Sequence, residues 1–200
     1  SETGDADLSL LSYLECCENA YLDYQKKVKD VDYVDSFSYL AFHTPFGGMV
    51  KGAHRNMMRK FAHAKPPEIE CDFNRRVTPG LTFCQKVGNI MGATMALSLV
   101  STIHCGTFES PQRIGCFSYG SGCCSEFFSG VATKEGQDLV RGLRLDDHLR
   151  DRHELSMNEY DEILQGSNAV RFGTRNVAFD AEFLSGIRGN VKGERRLYLK

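Results

Sequence analysis

The sequence predicts an α/β fold, and three stretches carry that prediction. Residues 37–42 (FSYLAF) form a short, nearly continuous apolar run, the pattern of a strand covered on both faces. Stripes of apolar residues at helical spacing precede and follow it. Further on, an uncharged run of small and apolar residues leads into two strand-like segments joined by glycines.

Asp7 is placed to cap a first helix whose apolar positions are Leu10, Leu14, Cys17, Tyr21, Tyr24 and Val28. Their steps of four and three set them in one stripe. Lys26, Lys27 and Lys29 stand near its C-terminal end, where positive charge suits the helix dipole. The strand run stops at His43, and Pro45 stands where a first helical residue would. The helix expected next carries Met49, Ala53, Met57 and Phe61 on one face, and Lys51, Arg55, Arg59 and Lys60 on the other. Pro66-Pro67 breaks the chain, and residues 68–86 show no deciding pattern.

From Gly88, GNIMGATMALSLVSTI is too long for most strands and too evenly apolar for an exposed helix. A helix buried inside the protein fits it. Residues 113–118 (RIGCFS) read as a strand, Tyr119-Gly120-Ser121-Gly122 as a tight turn, and CCSEFFSGV as the returning strand. In the charged stretch 134–165, Ser156 and Glu159 match a capping box. The end of the chain, Leu197-Tyr198-Leu199-Lys200, looks like a strand beginning. No linker, repeat or low-complexity segment divides residues 1–200, which read as one domain.

Composition excludes several classes. A net charge of -2 offers no basic face for nucleic acid. No apolar run reaches the roughly 18 residues a membrane span needs. The acidic start, SETGDADLS, lacks the basic and apolar regions of a signal peptide, so the chain reads as soluble and cytoplasmic. The eight cysteines show no C-x-x-C spacing and read as reduced, small core hydrophobes. The histidines form no metal-binding pattern, and no metal is expected.

Three places read as sharing one geometry, a strand that ends in a tight turn exposing a polar residue, where α/β proteins gather ligands. His43, in FHTPFGG, would feel the positive end of the next helix, which favours a neutral imidazole able to donate to a carbonyl and move protons. The segment alone equally allows a histidine that caps the helix or packs in the core. Asn89, in VGNIMGAT, follows a glycine that permits a sharp turn and would begin the buried helix, as a ligand-facing amide or a simple cap. In SYGSG, glycines let backbone N–H groups approach a ligand, although an ordinary hairpin needs the same residues. A hydrolase elbow is ruled out, because Tyr119 and Cys123 occupy its glycine positions around Ser121.

Taken in order, FHTPFGGMVK, GNIMGAT and IGCFSYGSG resemble the C-terminal half of the hydroxymethylglutaryl-CoA synthase family, and the likeness begins at GDADLSLLSYLECCENAYLDY. It implies a thiolase-like fold of alternating helix and sheet layers (αβαβα) and a homodimer. It implies condensation of an acetyl-derived carbanion with the β-carbonyl of a second acyl thioester. On that resemblance His43 hydrogen-bonds the attacked carbonyl, Asn89 positions an acyl oxygen and Ser121 supports the oxyanion. Phe46, Lys51, Tyr119 and Gly120 line the substrate.

The family's nucleophilic cysteine and catalytic glutamate belong to an N-terminal half that this sequence does not contain, so that half is an expected partner. No tightly bound cofactor is implied; the substrates are phosphopantetheine thioesters, on coenzyme A or on acyl carrier proteins. Gly48 stands where coenzyme A-using synthases carry a lysine. The loop therefore looks more like the polyketide β-branching synthases, with carrier proteins as donor and acceptor. A coenzyme A-dependent synthase of primary metabolism and a non-catalytic module of the same fold remain the alternatives.

Overall fold

The computed structural model describes residues 5–120, 122–152 and 154–169; Ser121 and the strand-like ending at Leu197-Tyr198-Leu199-Lys200 lie outside them. The chain divides into two compact units, residues 1–145 and 146–200.

In the first unit, α1 (Ala6–Lys27) presents Cys17, Tyr21 and Tyr24 to the core, as its stripe predicts. Its cap is Asp5 rather than Asp7: the Asp5 carboxylate accepts from the N–H groups of Asp7 (2.9 Å) and Leu8 (3.0 Å). Asp7 sits in the first turn, where its charge still suits the dipole.

Strand β1 (Tyr39–Phe42) runs parallel to β2 (Gln112–Gly120), which pairs antiparallel with β3 (Cys124–Ala132). The sheet order is β1-β2-β3, so β1 lies on an edge. It is still covered on both faces. Leu40, Phe42, Phe117 and Phe127 join the cluster built by α1 and α2 (Gly47–Ala62), while Ala41, Ile114 and Cys116 face Met95 of α5 (Ala93–Cys105). This alternation explains why the strand reads as continuously apolar. Burying each large side chain contributes about 1.5–3 kcal/mol.

Residues 68–86, unreadable by pattern, are helical throughout. Pro66 and Pro67 start a helix instead of breaking one, because α3 (Pro66–Asp72) sets them where no N–H partner is needed. A π-helical turn (Phe73–Val77) joins α3 to α4 (Thr78–Val87). Period 3.6 fails across that turn, which hides the stripe.

The run from Gly88 forms a helix only from Ala93. Its most buried face is polar: Thr94, Ser98, Ser101 and Thr102 are fully enclosed. Their hydroxyls serve backbone groups. Ser98 accepts from the N–H of Phe42 on the sheet edge, and Ser101 bridges Phe83 N–H to Pro79 C=O inside α4. A Cβ on Gly80 would meet Ser98 and Thr102 oxygens at 2.9 and 2.8 Å, so glycine permits this close approach of α4 and α5. Leu97, Leu99 and Val100 are only half-buried, so this helix is not enclosed all round. Helix α6 (Lys134–Gly142) caps the far end, where buried Gln137 donates to the carbonyls of Ile103 and Gly106.

In the second unit, α8 (Met157–Ala169) opens on the expected capping box: Ser156 N–H donates to Glu159 (2.7 Å), and Glu159 N–H donates back to the Ser156 hydroxyl (3.3 Å). Helix α7 (Leu145–Arg150) precedes it.

In the first unit, a charged cluster inside the core ties α2 and α3 to the loop before β1. Arg76 is fully buried and its guanidinium grips the Asp72 carboxylate at 2.7–2.9 Å. It also donates to the carbonyl of Tyr33 at 2.8 Å. His54 Nε2 stands 3.0 Å from Asp72, and its other ring nitrogen is 3.3 Å from the Tyr33 hydroxyl. Burial alone pushes the Asp72 carboxyl up, but the His54 ring beside it and hydrogen bonds from Arg76 and Arg75 outweigh it and hold the carboxyl well below its usual range. Burial holds His54 below its ordinary 6.5, against the pull of Asp72.

Arg76→Met leaves Asp72 buried without its main partner. It is expected to cost about 3–5 kcal/mol of stability in denaturant unfolding; a loss of a few tenths would show the pair to be dispensable. The unfolded chain takes up a proton on His54 near pH 6.5, whereas the folded chain resists to lower pH. Stability is therefore complete above that value and declines as pH falls beneath it, with a second decline below 3.8 from Asp72. Unfolding midpoints measured from pH 8 to 3 check the direction.

Candidate active site

His43 follows the last residue of β1 and extends its ladder by one bond, its N–H donating to Phe117 C=O at 2.8 Å. Its carbonyl accepts from the Tyr13 hydroxyl at 2.6 Å. The residue is 6% exposed, and its ring Nδ1 has no hydrogen-bond partner among the described residues. A buried polar atom left without a partner is costly, so such an atom asks for a reason in function or in strain.

Burial holds the imidazole below its ordinary 6.5, and the ring is neutral at physiological pH. The expected neutrality holds, but its cause differs. Helix α2 starts at Gly47, with Phe46 as its cap, so Pro45 lies outside the helix and His43 stands beyond its first turn. The dipole falls off within about one turn, and desolvation does the work instead.

Asn89 lies between α4 and α5. Gly88, at φ 82°, ends α4 and turns the chain. The Asn89 side-chain oxygen accepts from Met91 N–H (2.9 Å) and from the Thr94 hydroxyl (3.0 Å), which itself accepts from Ile90 N–H (2.8 Å). Met91 is held at φ 57°, a left-handed conformation uncommon for its residue type. Asn89 thus precedes the helix by a turn instead of beginning it. With its oxygen engaged, its NH₂, which donates to no group among the described residues, is the part available to a ligand.

Residues 44–47 and Asn89, far apart in sequence, wall the same cavity of about 220 Å³ together with Leu81, Cys84 and Gly88. Phe46 is 60% exposed and forms part of this wall. The Tyr119 ring lies 6.1 Å from the His43 ring, which brings the end of β2 and exposed Gly120 toward the strand end carrying His43. Burial pushes the Tyr119 phenol up, so it stays protonated. Lys51 is placed elsewhere: it pairs with Glu70 at 2.8 Å, lies over the Phe73 ring and lines a separate cavity of about 280 Å³ with His54, Arg55 and Arg59.

Leu81 and Cys84 come from the stretch that showed no pattern, and no signal pointed to them. Cys84 is buried, its thiol is pushed up by burial, and it donates to Gly80 C=O, the chemistry of a thiol and not of a nucleophile. Tyr13, three residues after Leu10 and four before Cys17, lies on the same stripe of α1, which marks it as buried but not as a partner of His43.

Residues 68–182 match the family model described as hydroxymethylglutaryl-coenzyme A synthase C terminal. The chain belongs to the hydroxymethylglutaryl-CoA synthase family. It is 58% identical, over its whole length, to 48% of the Bacillus subtilis (strain 168) polyketide biosynthesis 3-hydroxy-3-methylglutaryl-ACP synthase PksG. The crystal structure of the curacin biosynthetic pathway HMG synthase superposes with a TM-score of 0.88 and 64% identity, covering 94% of this chain and 46% of that one. The same synthase is known in complex with a donor acyl carrier protein. The hydroxymethylglutaryl-CoA synthase of Enterococcus faecalis is 32% identical over 78% of this chain and 40% of its own length. The chain spans about half the length of these relatives. Its α/β architecture is the thiolase-like fold of these synthases.

A Cβ on Gly48 would stand 2.6 Å from the Phe46 ring, so a side chain there requires Phe46 to swing out of the cavity wall.

The His43 imidazole, followed by NMR in ring-labelled protein, is expected to titrate below 6.5. A midpoint at or above that value would contradict its burial.

Proposed function

We propose that residues 1–200 are the C-terminal half of an acyltransferase that adds an acetyl-derived carbanion to the β-carbonyl of a β-ketoacyl thioester held on an acyl carrier protein. The observation that carries this reading is that residues 44–47, directly after buried His43, and Asn89 wall one cavity. The N-terminal half supplies the cysteine that accepts the acetyl group and the glutamate that removes a methyl proton. The carbanion attacks the ketone carbon, a C–C bond forms, and the carbonyl electron pair becomes an alkoxide. His43 hydrogen-bonds that oxygen and passes it a proton, which the glutamate's captured proton replaces. Asn89 holds an acyl oxygen through its NH₂. Ser121, outside the described residues, supports the oxyanion through its backbone N–H. Water finally releases the product from the cysteine.

Carrier-bound substrates are favoured by the likeness to PksG and the curacin synthase, and by a glycine instead of a lysine at position 48. Arg55 and Arg59, exposed one turn apart on α2 and without an ion-pair partner among the described residues, suit an acidic carrier surface. Lys51 and Lys60 are already paired with Glu70 and Glu18. The same reading makes the enzyme a cytoplasmic homodimer, in a redox setting where eight free thiols persist.

In the full-length enzyme, His43→Ala is expected to lower kcat for condensation by about 10²–10³. Unchanged condensation would remove His43 from the mechanism. Arg55→Glu with Arg59→Glu should raise KM for the acetyl-carrier protein about tenfold and leave acetyl-coenzyme A turnover unchanged. Equal kcat/KM for the two donors in the parent enzyme would favour a synthase of primary metabolism.

A further inference from the structure

Tyr13 belongs to none of the three motifs, yet it touches two of them. Its side chain is fully buried, and its hydroxyl donates to the carbonyl of His43 at 2.6 Å. The ladder between β1 and β2 gives the N–H of His43 its partner in Phe117. Strand β1 has already ended at Phe42, and the hydrogen bond from Tyr13 takes up the carbonyl beyond it. Both peptide groups flanking the His43 Cα are therefore fixed, one by the sheet and one by α1. That fixes the direction in which the imidazole leaves the backbone.

The Tyr13 ring is itself held. It meets Phe117 and Tyr119 edge-on, each at 5.3 Å between centroids, and Tyr119 lies 6.1 Å from the His43 ring. Helix α1 thus spans the end of β1 and the start of the glycine-rich hairpin with one side chain. A catalytic ring needs such support, because a displacement of about 1 Å can cost about 10² in rate.

We infer that Tyr13 is a positioning residue for condensation, aiming the His43 imidazole by fixing its peptide carbonyl while touching no substrate itself. The inference rests on the reading of His43 as the group that meets the acyl carbonyl.

The test is Tyr13→Phe in the full-length enzyme, which keeps the ring and its edge contacts and removes only the donor. A loss of about tenfold or more in kcat is expected, with KM for the acyl thioester within about twofold. The His43 ring resonances should shift, and p-aminophenylalanine at position 13, which restores a donor, should recover most of kcat. A merely structural tyrosine would lower the unfolding midpoint without this split and without rescue.

His43→Ala is measured alongside. If it abolishes condensation while Tyr13→Phe retains the parental kcat, the positioning role is overturned and the reading of His43 stands. If His43→Ala is itself fully active, both fall. Should Tyr13→Phe fail to fold, p-fluorophenylalanine at position 13, which fills the hydroxyl's place without donating, decides: a loss of about tenfold in kcat supports the inference, and parental kcat overturns it.

Discussion

The site depends on the parallel pairing of β1 with β2. Tyr39 to Phe42 lie opposite Ile114 to Phe117, and His43 adds one more bond to Phe117 before its chain leaves the sheet. Because the strands are parallel, their C-terminal ends emerge together, so the histidine loop and the glycine-rich hairpin share one edge of the sheet. A shift of register by one residue would send Leu40 and Phe42 to the face of α5 and turn His43 with them. Packing of two different clusters on the two faces opposes any such slip.

Two buried polar systems hold the surroundings of that edge. On one side Asp72, Arg76, His54 and Tyr33 lock α2, α3 and the loop before β1. Such a cluster is of small net worth when intact and expensive when broken, so its contribution is to fix one arrangement. On the other side the hydroxyls of Ser98 and Ser101 sew α5 to the edge amide of β1 and to the ladder of α4. The turn between α4 and α5 carries Asn89, so this second system sets the distance between Asn89 and the strand end.

Much of the fold was legible from the sequence because the burial patterns are strong. The stripe of α1 and the run of β1, covered on both faces, follow regular burial, and β2 is enclosed from Ile114 to Phe117; β3 buries only Phe127 and was marked by the glycine-rich turn before it. Residues 68–86 were illegible because a π-helical turn interrupts the 3.6 period, and with it went Asp72, Arg76, Leu81 and Cys84. The stretch from Gly88 misled in a subtler way. Its apolar character suggested enclosure, but the faces it buries most deeply are threonine and serine, chosen for hydrogen bonds and close approach. His43 and Asn89 were singled out because motifs mark them. Tyr13 was passed over, since a tyrosine on an apolar stripe reads as packing and its hydroxyl's partner lies thirty residues away.

The central claim is that the strand end and the α4–α5 turn close on the same acyl group. A crystal structure of the complete enzyme with an unreactive β-ketoacyl carrier-protein analogue tests it most directly. The claim predicts the ketone oxygen within hydrogen-bond reach of the His43 ring and the thioester beside the Asn89 NH₂. An arm seated instead in the cavity of Lys51 and Arg59, with His43 Nδ1 still unpartnered, would contradict it.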